Sequence, residues 1–229
     1  MNTFDSSIIH FLNQFAFRSA FFDRAALAMT QLYILRGLPL ITLLWWLWFR
    51  DSPTKQHDRE IIITTIVASL CVLALGRFLA HWMPFRIRPF ANPELGLRFI
   101  ESSEDRIRIW SAFPSDHAML WCSVATGILL VSWRIGIIAL AYAFLFICVP
   151  RVYVGLHHPT DVLGGAALGV SMCFLLNLTW CRQIIAAPVL QFSSQYPSAF
   201  HVCMFLLSFG LVTHFDELLM LSSSLLKYI

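Results

Sequence analysis

The stretch 151–161, RVYVGLHHPTD, holds an arginine, two histidines and an aspartate between two uncharged runs, 135–150 and 162–181. An imidazole beside a carboxylate can act as base or nucleophile, and a planar guanidinium fork suits phosphate oxygens. His157 and Asp161 are four apart, so one turn of helix starting near Pro159 is expected to bring them together. The carboxylate would then take the Nδ1 proton and leave Nε2 free. Two further polar knots lie upstream, FPSDH at 113–117 and RIRP at 86–89.

Taken together, the three knots resemble the three motifs of the type 2 phosphatidic acid phosphatase superfamily, a family of integral membrane phosphatases. The third motif, arginine, five residues, histidine, three residues, aspartate, is matched by Arg151, His157 and Asp161. The second, proline-serine-glycine-histidine, is matched by Pro114, Ser115 and His117, with Asp116 in place of glycine. In the first, Arg88 and Pro89 match, but His81 stands where the family has lysine. That cation could come from protonated His81, or from Arg77 or Arg86. The Pro-Ser-Asp-His form and the run Arg88-Pro89-Phe90 look most like the undecaprenyl-diphosphate phosphatase branch.

The resemblance implies phosphoryl transfer through a phosphohistidine. His157 would attack phosphorus, oriented by Asp161, and His117 would serve as acid and then base. Arg88, Arg151 and Ser115, with His81 or Arg77, would bind the phosphate. No cofactor and no metal are implied. A competing reading gathers His117, His157, His158, Asp116 and Asp161 into a metal cluster, but two arginines would then crowd a cation. His158, followed by proline, is expected to cap or to touch a headgroup.

Those residues need a mounting, and composition says of what kind. The chain has 229 residues, 58% hydrophobic and 13% charged, with mean hydropathy +0.70. Soluble domains carry about 25% charged residues, so this is the composition of a membrane protein. A net charge of +3 is too small to argue for a nucleic-acid partner. Six cysteines without CxxC spacing read as buried, inert thiols. The N-terminus lacks a signal-peptide layout, so insertion is expected to rely on the first spanning helix.

The expected fold is all-α: one polytopic helix bundle of about six transmembrane helices plus an N-terminal amphipathic segment. Residues 1–30 form that interfacial helix or helical hairpin, 31–215 the transmembrane core, and 216–229 a surface tail. Spans are expected at about 31–49, 61–83, 118–133, 135–149, 162–181 and 199–215, with 182–198 a connector. Gly165 and Gly169 make a small-xxx-small face. The loop 91–112 is long enough to act as a lid, or is a solvated loop without a role.

This threading puts 84–117 and 151–161 on one side of the membrane. Basic residues in the opposite linkers suggest that their side is cytoplasmic. The site would then face the periplasm from a bacterial inner membrane. The substrate is expected to be an amphiphile, foremost undecaprenyl diphosphate losing its terminal phosphate. Phosphatidic acid, phosphatidylglycerol phosphate, a lipid A phosphate or transfer to another lipid remain open. So does a degenerate, non-enzymatic lipid-binding protein.

Overall fold

The computed structural model describes residues 2–100 and 110–216, helical and without a strand among them. Helices α1 (Thr3–Asn13) and α2 (Ala20–Gln31) start at Asn2 and Ser19, whose side chains accept backbone N–H groups of the first turn. A single turn, α3 (Tyr33–Arg36), precedes α4 (Leu38–Phe49). Then follow α5 (Lys55–Trp82), α6 (Asp116–Val131), α7 (Trp133–Tyr153) and α8 (Pro159–Leu176). The chain closes with α9 (Thr179–Gln195) and α10 (Pro197–Val212).

Helix α6 is the centre. It packs against α4, α5, α7 and α8, and every residue from His117 to Ile128 is buried. Its sequence is correspondingly apolar all round rather than on one stripe. Trp121 is fully buried there, and Gly37 lies so close to it that a Cβ would overlap the indole ring.

Helix α8 packs on α6 through glycine. A Cβ on Gly165 would meet the Ser115 carbonyl oxygen at 2.5 Å, and one on Gly169 would overlap the Met119 carbonyl. Apolar burial does not drive helices together inside lipid, so this close approach is what the pair relies on. Gly169→Val is therefore expected to destabilise the bundle by about 3 kcal/mol, the upper end of overpacking penalties, because the obstacle is backbone. Thermal unfolding in detergent measures it, and an unchanged midpoint would show that α8 can slide on α6.

Among the described residues three helices, α5, α7 and α8, are long and apolar enough to cross a membrane; α4, α6 and α10 are apolar but shorter. The expected connector 182–198 is instead mostly the helix α9, even though Pro188 lies inside it. The first expected span is split at Gly37 into α3 and α4. Of the six cysteines, all free, Cys71 and Cys203 are exposed rather than buried. Residues 217–229 of the surface tail and 101–109 of the lid loop lie outside the described residues.

The N-terminal helices do more than float at an interface. Asp5 of α1 is fully buried and accepts from the Thr160 N–H at 2.9 Å, the Thr160 hydroxyl at 2.8 Å and Arg86 Nη2 at 2.7 Å. Its carboxylate thus sits at the amino end of α8, where orphan N–H groups and the helix dipole favour an anion. Asp23 of α2 accepts the Tyr153 hydroxyl at 2.6 Å. Two buried carboxylates thereby tie the segment 2–31 to both ends of the loop between α7 and α8.

Candidate active site

The loop between α7 and α8 carries the third motif, and its local geometry follows from where the helices stop and start. Pro159 opens α8 because its missing N–H would be unpaired there anyway. Asp161 therefore falls in the first turn, and its carboxylate reaches back to the His158 N–H at 2.7 Å, closing a capping box. It also receives Arg86 Nη1.

The expected pairing of Asp161 with His157 is not what the chain does. His157 lies before the helix cap, so the four-residue spacing does not put the two on one helical face. Its Nδ1 instead lies 2.8 Å from the Ala112 carbonyl. A carbonyl only accepts, so Nδ1 carries the proton and the Nε2 lone pair is free. Nε2 faces Arg88 Nη1 at 3.5 Å. Burial first, then the charges of Arg88 and Arg151, hold this imidazole well below the usual histidine range, so it is neutral at pH 7.

Arg88 is fixed by donating to the Leu156 carbonyl at 3.0 Å and the Trp110 carbonyl at 3.3 Å. Arg151, at the end of α7, is 5% exposed, and its buried Nε has no hydrogen-bond partner among the described residues. It lies within electrostatic reach of Asp116, Arg88, His157 and His117. A buried cation left without acceptors is costly unless an anion completes its surroundings.

At the start of α6, Ser115 is the cap: its fully buried Oγ accepts the Ala118 N–H at 3.4 Å, and its N–H donates to the Asp161 carbonyl at 3.1 Å. His117 follows two residues on. Its Nδ1 meets Asp116 Oδ1 at 2.8 Å, and its buried Nε2 has no partner among the described residues. Glycine at position 116 would leave that imidazole without its carboxylate.

The remaining candidates stand elsewhere. His81 is exposed on the last turn of α5 and makes no hydrogen bond or ring contact with these groups. Arg77 is turned to the His214 carbonyl. Arg86 is taken by Asp5 and Asp161. His158 caps α8 and places Nε2 3.1 Å from the Ile87 carbonyl, a structural position.

One residue escaped the sequence reading. His214 stacks on His117 with ring centroids 3.7 Å apart and 20° between planes. It follows α10 in a left-handed backbone conformation, with φ of 55°, and is 1% exposed. A lone histidine in an apolar run has no spacing that announces it. Asp116, His117 and His214 offer ligand atoms within 4.8 Å of one another, a set that could hold a cation. Arg36 and Arg151 lie near the same group and oppose one.

Comparison with known proteins supplies the frame. A profile of the PAP2 superfamily matches residues 60–185. The bacitracin transport permease protein BcrC of Bacillus licheniformis is 29% identical over 168 residues, 73% of each chain. An undecaprenyl-diphosphatase of Sulfolobus acidocaldarius is 32% identical over 126 residues, covering 52% of this chain and 55% of its own. Among solved structures, the transmembrane PAP2 type phosphatidylglycerolphosphate phosphatase of Bacillus subtilis superposes with a TM-score of 0.50 at 23% identity. The likeness covers 76% of this chain and 83% of that one, and is a likeness of fold.

Proposed function

Because the chain belongs to the PAP2 superfamily of membrane phosphatases, we propose that it removes the terminal phosphate of a polyprenyl diphosphate through a phosphohistidine. The carrying observation is the state of His157: a neutral ring whose proton is held by Ala112 and whose free Nε2 faces Arg88. Nε2 forms the N–P bond as the bond to the leaving oxygen breaks, and His117 gives that oxygen its proton. Burial, then the charges of Arg151 and His214, hold His117 well below the usual histidine range, so the imidazolium this requires forms only as Asp116, 2.8 Å away, and the incoming diphosphate oppose them. His117 then takes a proton from water, whose oxygen attacks phosphorus and releases phosphate, freeing His157. Arg88 and Arg151 neutralise the equatorial oxygens throughout. Asp161 acts through the backbone, fixing the cap that seats His157.

Undecaprenyl diphosphate is favoured because the relative from Sulfolobus acidocaldarius bears that activity in its name. An apolar groove of about 660 Å³ supports a lipid substrate. It is lined by Phe15, Phe22, Phe146, Val149 and Tyr153, and reaches Pro150, the neighbour of Arg151. The six-span threading, with α4, α6 and α10 lengthened by polar turns at their ends, would put the site on the periplasmic side of the inner membrane.

Purified protein in detergent with EDTA is expected to release phosphate from undecaprenyl diphosphate. Release only after a divalent ion is restored would replace the metal-free mechanism. Activity confined to phosphatidic acid or phosphatidylglycerol phosphate would move the substrate.

A further inference from the structure

Against His117, through its stack with His214, lies a second group of buried polar side chains that the phosphoryl-transfer scheme does not use. Arg36 is 6% exposed; it donates Nη1 to the Thr30 carbonyl at 3.1 Å, lies 4.7 Å from the Tyr33 ring and interacts with the Tyr33 side chain and the Asp216 charge, while Nε and Nη2 have no hydrogen-bond partner among the described residues. Among the described residues neither ring nitrogen of His214 has a hydrogen-bond partner, nor does the indole N–H of Trp121, whose ring meets His214 edge-on at 5.8 Å. Of the charges around Arg151, that of Arg36 acts on it most strongly, and both act on His117 and His214. The carboxylates facing this group are Asp116 and Asp216, against the guanidiniums of Arg36, Arg77, Arg88 and Arg151. Buried donors are normally satisfied, so a donor-rich, acceptor-poor group adjoining a phosphate site points to an anion.

We propose that Arg36 and His214 form a second anion subsite, continuous with the Arg88–Arg151 site, which takes the lipid-linked phosphate of a diphosphate and so favours diphosphates over monophosphates. The inference rests on the phosphatase reading for its substrate. It places the leaving phosphate beside His117, the group that must protonate it, and gives the His117–His214 stack a purpose. A fixed guanidinium there also stabilises the charge that the departing phosphate gains as its bond breaks.

The test uses intact protein in detergent with non-hydrolysable probes, so that turnover is not needed. Wild type is expected to bind methylenediphosphonate about 10-fold more tightly than methylphosphonate, the scale of one charge-assisted contact. Arg36→Gln should erase that preference and leave methylphosphonate unchanged, and His214→Gln should reduce it. Size-exclusion profiles confirm that each variant is folded. Equal affinities in wild type, an unaltered preference in Arg36→Gln, or parallel loss of both probes would overturn the subsite. So would zinc binding that is lost in His214→Gln without any diphosphonate preference. A preserved preference in a protein that hydrolyses no lipid phosphate would leave the subsite standing and sink the phosphatase reading instead.

Discussion

His157→Ala is expected to remove phosphate release altogether, by on the order of 10⁶-fold, the loss seen when a covalent hydrolase is deprived of its nucleophile. Nε2 of His157 is the group that faces Arg88, at 3.5 Å. His117 is committed through Nδ1 to Asp116 and serves proton transfer, which is typically worth about 10²–10⁴-fold. The two histidines should therefore separate by size of effect and by intermediate. Acid-sensitive, base-stable labelled protein should form on wild type and be absent from His157→Ala. His157→Ala turning over lipid diphosphate at the wild-type rate would eliminate the covalent route.

The largest structural effect is expected at Arg86. Its side chain bridges Asp5 and Asp161, whose side chains are both fully shielded from solvent. Arg86→Ala leaves two carboxylates buried without their shared cation, a change that costs about 3–5 kcal/mol when one member of a buried ionic group is removed. The thermal midpoint should fall accordingly, and adding Asp5→Asn should recover part of it by removing one orphan charge. A midpoint unchanged by Arg86→Ala would mean that the cluster opens to solvent.

The same cluster sets a pH dependence. Burial alone would raise the Asp5 carboxyl, but hydrogen bonds from the Thr160 N–H and hydroxyl and from Arg86 outweigh it, so it is held below the usual range. The contribution to stability is thus complete above the ordinary carboxylate value, about 4, and is lost as pH falls through the lower folded value. The gap in midpoint between wild type and Asp5→Asn should close at acid pH.

Which residues gather at the candidate site was partly legible in the sequence. Arg88, His117, Arg151 and His157 stand in short, ordered motifs separated by apolar runs, and mean hydropathy alone demands a membrane bundle. The Gly165–Gly169 face could be read for the same reason: a helical repeat of four is a local property. Local spacing also misled. It paired His157 with Asp161, which requires both to share a helix, whereas α8 begins at Pro159, after His157.

What only the tertiary structure decided are contacts across the chain. Ala112, 45 residues from His157, sets that ring's tautomer. Asp5, 155 residues from Thr160, caps α8. His214 reaches His117, and Arg36 reaches Arg151, through helices that say nothing of each other in sequence. Sequence periodicity fixes which residues share one face of one helix. The bundle's packing, set by glycines that let α8 close on α6, fixes which faces meet and therefore which buried donors are left waiting for an anion.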